Sequence, residues 1–347
     1  MKSRSWVEEK IYFKHEEYFG DLMSSIREAR HSIELESYIF ELDQTGQAVI
    51  QALIEAATRG VRVRVVVDGM GTWFTQNELE NAFHGSRVQF RVYHPFSFFG
   101  IGYSHVNKRL HRKLWIFDHE TVFTGSFNIT AEPTRDTGVR LKGGPIGLLA
   151  DAFERVWGKH TANLPHKTRM GWVRLNENKK MRRSNHQDLV RRIREARTRI
   201  WITNAYFVPP FFLLRALCRA GLQGLDVRLL LPARPDHLFM KWMGEAFYQT
   251  LLLSGVRVFE FEESFLHAKT ILIDEWAMVG STNLNHRSLV HDLEVDVVLH
   301  QSSSKERLES QFEQDLAKSC ELEYRRLKFS RFSRLVQWVL HFFRFYA

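Results

Sequence analysis

The sequence predicts an α/β protein built from two homologous halves, with mostly parallel or mixed sheets flanked by helices and an active site where the halves meet. Three observations carry that expectation. A short phrase recurs, Ile26-Arg-Glu-Ala-Arg30 returning as Ile193-Arg-Glu-Ala-Arg197. Strand-like apolar runs alternate with helix-like stretches in the same order after each copy, the pattern of α/β architecture. A compact set of polar residues then closes each half. Repetition of this kind organises a whole fold, so it is read before anything else.

Each copy of the phrase closes a helix and runs into a β-like segment, Ile33–Phe40 in the first half and Arg199–Val208 in the second. A helix follows, around Gly46–Ala57 and Phe212–Ala220. Next come Val/Leu-rich strands, Val61–Val67 and Asp226–Leu231, and after a second helix the strands Val88–Tyr93 and Val256–Phe261. Such nearly continuous apolar strands belong to sheets covered on both faces. The expected divisions are a first half at 1–158, a basic linker at 159–185, a second half at 186–320 and a basic tail at 321–347. Within the linker, Lys159–Arg183 carries eight Lys/Arg against one Glu. That composition fits either a solvated connection or a face turned to lipid or phosphate.

Composition narrows the function classes. At 347 residues the chain has the length of roughly two domains of ~150 residues. Apolar residues at 44% and charged residues at 26% exclude disorder as the general state. A net charge of +9 favours an anionic partner. Two cysteines, Cys218 and Cys320, cannot build a disulfide framework or a Cys-rich zinc site. No apolar run approaches the ~18–20 residues of a membrane span. The first ten residues are too polar for a signal peptide.

The chemistry-bearing pattern is His111-Arg-Lys113-Leu-Trp-Ile-Phe-Asp118 followed by Gly125-Ser126-Phe-Asn128. It returns as His267-Ala-Lys269-Thr-Ile-Leu-Ile-Asp274 followed by Gly280-Ser281-Thr-Asn283. On an extended chain, residues i and i+2 share a face, so each His and Lys project together. Each Asp lies at opposite parity, where the apolar run ends, and reads as a structural or orienting carboxylate. The Ser and Asn of each turn can donate to an anion. Two such halves face to face supply two imidazoles and two ammonium groups around one cavity, the equipment for displacement at a phosphodiester. A neutral His attacks phosphorus while a protonated His serves the leaving oxygen. The lysines and asparagines hold the transition-state charge, so no metal and no cofactor is expected.

The paired H-x-K-x4-D motifs resemble those of the phospholipase D superfamily, and the chain looks most like its bacterial cardiolipin synthases over about residues 5–320. Supporting stretches are Asn204-Ala-Tyr-Phe-Val-Pro209, Asp136-Thr-Gly-Val-Arg-Leu141 and Gly280-Ser-Thr-Asn-Leu-Asn-His-Arg-Ser-Leu289. The resemblance implies that His111 is the nucleophile, forming a phosphohistidine, and that His267 is the general acid and then base. It implies that Lys113, Lys269, Asn128 and Asn283 bind phosphoryl oxygens and that Asp118 and Asp274 shape the site. It also implies a carboxylate about 25 residues beyond each motif His, bonded to the His of the opposite half. Asp136 and Glu294 occupy those places, with Asp292 and Asp296 competing for the second.

The superfamily includes lipid transferases, lipid hydrolases and nucleases. Three features favour a lipid substrate. The tail beyond Tyr324 gathers Phe332, Leu335, Val336, Val339, Phe342, Phe343 and Tyr346 on one face of a basic helix, an interfacial anchor. Aromatic stretches, His94–Tyr103 and Leu238–Met243, precede the two motifs and could line an acyl-chain entrance. Nucleases of the superfamily are commonly short single-motif chains, whereas this one holds both motifs. The expected activity is phosphatidyl transfer between two phosphatidylglycerol molecules, yielding cardiolipin and glycerol. The expected partners are phosphatidylglycerol and other anionic phospholipids at a membrane surface, without nucleic acid, and the expected location is peripheral, on the cytoplasmic side of a bacterial inner membrane. Hydrolysis with water as acceptor, nuclease action and a non-catalytic membrane scaffold are the alternatives.

Overall fold

The structure, a computed structural model, describes residues 5–95, 108–158, 171–236 and 238–326. The amphipathic tail beyond Arg326, most of the aromatic stretch His94–Tyr103 and positions 159–170 of the basic linker lie outside the described residues.

In the first half the order is β1 (Trp6–Tyr12), α1 (His15–Glu28), β2 (Ser32–Ser37), α2 (Gln44–Thr58), β3 (Arg62–Asp68), α3 (Gln76–Phe83) and β4 (Gln89–Tyr93). It continues through β5 (Leu114–Phe117), β6 (Thr121–Gly125), β7 (Thr134–Arg135), β8 (Gly138–Gly143) and α4 (Ile146–Gly158). The second half opens with β9 (Val173–Leu175), α5 (Lys179–Glu195), β10 (Arg199–Thr203), α6 (Phe211–Leu222), β11 (Asp226–Pro232), α7 (Leu238–Glu245) and α8 (Tyr248–Leu253). Then follow β12 (Arg257–Phe261), β13 (Phe265–Leu266), β14 (Thr270–Ile273), β15 (Trp276–Gly280), α9 (His286–Val290), β16 (Val295–Leu299), α10 (Ser302–Leu316) and β17 (Ser319–Glu321).

Each half folds around one mixed sheet. The first has strand order β1-β8-β6-β5-β2-β3-β4 and the second β17-β12-β11-β10-β14-β15-β16-β9. Within these two sheets, parallel pairing is confined to β2-β3-β4 and β10-β11-β12, where helices supply the crossovers. The motif strands pair antiparallel because short turns join them: β5 to β6 through Asp118 and His119, β14 to β15 through Asp274. Those three residues have φ of 52°, 54° and 48°. Asp tolerates this left-handed region better than most side chains do.

The repeat extends further upstream than the basic composition indicated. β9 pairs antiparallel with β16 as β1 pairs with β8. Residues 173–185, assigned from sequence to the linker, are therefore the edge strand and first helical turns of the second half. Their charges are used internally: Arg174 bonds the Asp188 carboxylate, and Glu177 bonds Arg112 and Arg155.

Strand alternation explains how the halves are held together. On β5, Trp115 and Phe117 point into the first half's own core, whereas Leu114 and Ile116 point into a core shared with the second half. On β14, Ile271 and Ile273 face the second half's core and Leu272 the shared one. Val295, Val297 and Leu299 of β16 complete the shared layer. Both faces of the motif strands are thus dry, at about 1.5–3 kcal/mol of stabilisation per large side chain buried. Two short strands, β7 and β13, also pair across the junction.

Candidate active site

Each motif His and Lys sits at the entry to a buried strand, since β5 begins one residue after Lys113 and β14 one residue after Lys269. The opposite half pins each entry in the same way. His111 N–H donates to Leu293 O (3.0 Å), and His267 N–H donates to Arg135 O (2.9 Å). The next residue along then takes the imidazole. His111 Nδ1 lies 3.0 Å from Glu294 Oε2, and His267 Nδ1 lies 2.8 Å from Asp136 Oδ1. With Nδ1 engaged, Nε2 is the ring atom each His has left for a ligand.

Both rings line one cavity of about 450 Å³, together with Asn128 and Asn283. Asn128 Oδ1 and Asn283 Oδ1 are buried and make no hydrogen bond among the described residues. An amide with an unused polar end is suited to meeting a polar ligand. The lysines lie beneath the rings, Lys113 Nζ donating to His111 O (3.0 Å) and Lys269 Nζ to His267 O. Burial pushes the Lys113 ammonium down to about 8. Lys269 is pushed well below its ordinary value by burial and then by the charge of Lys113. Burial is the leading cause for both ammonium groups, so an anionic ligand beside them would offset what burial costs their charges.

The two His–carboxylate pairs differ electrostatically. Burial holds His111 well below its ordinary value, and the charges of Lys113, Lys269 and His267 push the same way. His267 is also lowered by burial and by Lys269, but Asp136 pulls against that shift. Burial raises Glu294 to about 7 despite Lys113 nearby. Burial also opposes the charge on Asp136, yet His267 and the hydrogen bond to it outweigh burial and hold this carboxyl well below its usual range.

Several expected residues stand elsewhere. Asp118 accepts the backbone N–H groups of Arg30, His31 and Ser32 at 2.7–2.9 Å, and Asp274 those of Arg197, Thr198 and Arg199 at 2.8–3.1 Å. Neither lines the cavity; each ties the start of a neighbouring strand to a motif hairpin. Ser126 and Ser281, expected to donate to an anion, are turned to the supporting layer instead. Ser281 Oγ donates to Glu294, and Ser126 Oγ accepts from Thr137 N–H at 3.0 Å. Of the competing carboxylates, Asp292 accepts from Arg109 N–H and pairs with Arg287, and Asp296 bonds Thr282, which leaves Glu294 facing His111.

Other residues of the site carry no motif signal. Tyr38 stacks edge-on to His111 with ring centres 4.8 Å apart, and Lys113 Nζ lies 5.2 Å from its ring centre. Tyr206 donates to Asp236 on the opposite wall. Tyr206 belongs to the Asn204–Pro209 stretch that supports the family resemblance, whereas the one hint for Tyr38 was its place just after the first parallel strand of its half. Phe239 and Met240, from the aromatic stretch before the second motif, line the cavity, and Phe239 is 48% exposed. Arg112, between His111 and Lys113, points the other way and is fully buried against Glu36 and Glu177. Among the described residues no helix is long and apolar enough to cross a membrane.

Two mixed α/β halves that each contribute a His to one cavity and bond a buried Lys to that His's carbonyl, every His braced by the other half's carboxylate, define an enzyme of the phospholipase D superfamily. A family model described as "Cardiolipin synthase, PLD-like domain" matches residues 22–157 and 189–316, once per half, and the chain belongs to that family. A cardiolipin synthase of Clostridium perfringens is 29% identical over 333 residues, covering 88% of this chain and 70% of the relative. One from Halalkalibacterium halodurans is 30% identical over 92% of this chain and 68% of its own length. Cardiolipin synthase B of Escherichia coli is 30% identical over 88% and 79%. These relatives make the chain a phosphatidyltransferase of the phospholipase D type. Among solved structures, phosphatidylserine synthase of Haemophilus influenzae shares the fold with a TM-score of 0.70 at 15% identity, covering 97% of this chain and 92% of that one. Polyphosphate kinase of Porphyromonas gingivalis shares it at 0.63 and 13% identity, over 98% of this chain and 56% of that one.

Proposed function

We propose that the chain moves a phosphatidyl group from one phosphatidylglycerol to another, producing cardiolipin and releasing glycerol. His111 Nε2 attacks phosphorus and forms a P–N bond while the P–O bond to glycerol breaks. His267 gives its proton to the departing oxygen. A hydroxyl of a second phosphatidylglycerol then attacks phosphorus, His267 takes that proton back, and the P–N bond breaks. Lys113, Lys269, Asn128 and Asn283 bear the charge on the remaining phosphoryl oxygens, where buried donors act most strongly. The working surface is the cytoplasmic face of a bacterial inner membrane, approached peripherally.

One observation carries this reading: two imidazoles share one cavity, each with Nδ1 held by a carboxylate of the other half. Their unequal surroundings support the division of labour. His111 is held neutral by burial and by the nearby Lys113, Lys269, His267 and Arg287, the state a nucleophile needs. Asp136, firmly ionised, favours a proton on His267, the state an acid needs. Acceptors on the cavity wall, Glu41, Glu132 and Asp236, suit a hydroxyl-bearing headgroup.

The test is lipid mass spectrometry on cells lacking cardiolipin that express either the wild type or His111→Ala. Cardiolipin should return only with the wild type, and rapid alkaline quenching of the purified enzyme with phosphorus-labelled phosphatidylglycerol, under which a P–N bond survives, should leave label on His111. Phosphatidic acid in place of cardiolipin would mean that water is the acceptor. Label absent from histidine would sink the two-step route.

A further inference from the structure

A larger cavity lies outside the catalytic pocket, a surface groove of about 910 Å³ along one face of α5. Lys179, Arg183 and Arg194 line it and are exposed; they stand four and then eleven residues apart, close to one and three helical turns, which puts them on one helix face. Among the described residues none of these three pairs with a carboxylate, unlike Arg191, which bonds Asp188. The same groove has an apolar side made by Val190, Phe212 and Val290. Phe212 is 41% exposed and its neighbour Phe211 61%.

Short helix α9 separates the groove from the active site. Arg287 and Ser288 line the catalytic cavity, while Val290 of the same helix lines the groove. Glu195 also lines the groove, 3.9 Å from Arg191, and the basic residues outnumber it; unpaired cations beside an apolar wall match a ligand with a phosphate at one end and hydrocarbon at the other. A free phosphate would leave the apolar wall unused, and so would a nucleic acid backbone.

We propose that this groove is a second, non-catalytic site for an anionic phospholipid of the bilayer, with the headgroup phosphate on Arg183 and Arg194 and acyl carbons on Phe212 and Val190. It gives the basic stretch read as linker a role that the transfer chemistry does not use. A lipid held there brings the membrane surface to the far side of α9 from the two histidines. The proposal rests on the reading of the enzyme as lipid-acting, but not on the identity of its product.

The experiment compares full-length wild type, Arg183→Glu/Arg194→Glu and Phe212→Ser for co-sedimentation with vesicles of phosphatidylcholine alone or mixed with phosphatidylglycerol. Turnover of short-chain phosphatidylglycerol, dispersed below its micelle threshold, is measured in parallel. The charge-reversed variant should bind the mixed vesicles at least about tenfold more weakly, since each basic residue near an anionic surface contributes about 1 kcal/mol. Phe212→Ser should weaken binding even at high salt. Neither variant should change dispersed-substrate turnover, which also reports intact folding, and Arg183→Gln/Arg194→Gln should fall between wild type and the reversed form. Unchanged vesicle affinity in the arginine variants, as when the groove is filled by the chain itself, would overturn the proposal. Loss with the arginine variants but none with Phe212→Ser would reduce the groove to a charged patch and overturn it too. Absence of transfer by the wild type would strike the proposed reaction and leave the binding comparison standing.

Discussion

The first motif and the second carry the same residues in the same order, yet they sit in different electrostatic surroundings. His111 is bonded to Glu294, which is flanked by Asp292 and Asp296; burial raises these three carboxyls to about 7, about 7 and about 6. His267 is bonded to Asp136, a carboxyl held well below its usual range once its histidine's charge outweighs burial. Burial thus leaves the first carboxyl a weak acid beside its imidazole, whereas the second stays ionised and favours a proton on its imidazole. A duplicated motif does not imply duplicated roles, because a buried group's protonation follows its neighbours more than its own type. The difference extends to the residue between His and Lys. It is a buried, doubly paired Arg112 in the first motif and a small Ala268 in the second.

The largest test of this asymmetry is removal of each imidazole. His111→Ala should lower transfer by on the order of 10⁴-fold or more, with no covalent intermediate. His267→Ala should lose about 10²–10⁴-fold and still form labelled His111 with a donor whose leaving group needs no proton. Equal intermediate formation in the two variants, measured after rapid alkaline quenching, would erase the distinction.

Next in size is Arg112→Ala. It leaves Glu36 buried without its cation and Glu177 with Arg155 alone, so chemical denaturation should show a loss of about 3–5 kcal/mol. The reciprocal change, Ala268→Ser, has no buried ion pair to break and should move stability far less.

The carboxylates come third. Asp136→Asn and Glu294→Gln should each cost about 10–100-fold in rate by freeing a ring. Asp136→Asn should shift the pH profile more. The acid form of His267 is lost as pH rises through its pKa, and Asp136 raises that pKa, so its removal should move the descending limb to lower pH. Burial and nearby cations are the leading influences on His111, so loss of Glu294 should move its limb less than loss of Asp136 moves the descending one. Rate profiles of the three proteins across pH decide this.

The smallest effect belongs to the hairpin carboxylates. Asp118→Ala and Asp274→Ala should each lose about 1 kcal/mol of stability, with near-normal rate constants, because their bonds are to backbone amides in half-exposed turns. Asp274 titrates at about 2 in the folded chain against ~3.9 when unfolded. Its contribution is therefore full above about pH 4 and fades as pH falls toward 2. Thermal melts at acid pH, compared with wild type, measure it.

Much of the site was legible before any coordinates. His111, Lys113, His267, Lys269, Asn128 and Asn283 stand out because the pattern occurs twice at matched intervals, and repetition is visible without geometry. Asp136 was reachable from the family resemblance, whereas Glu294 could not be separated from Asp292 and Asp296 by spacing alone. The choice among them depends on which residue follows the carbonyl that binds His111 N–H, a contact between segments far apart in the chain. The serines misled for a related reason: a hydroxyl's potential to donate says nothing of where it turns. The start of the second half was hidden because three-residue β9 lies in a stretch whose charge dominates its pattern.

By itself the sequence determined the two-fold repeat, the α/β class and the chemical inventory of the reaction, since these depend on periodicity and residue type. Tertiary structure alone decided which carboxylate braces which imidazole, that the lysines lie beneath the rings, and that the two motifs differ in proton affinity. Those properties arise from burial and from distances between residues more than a hundred positions apart, and local pattern holds no information on either.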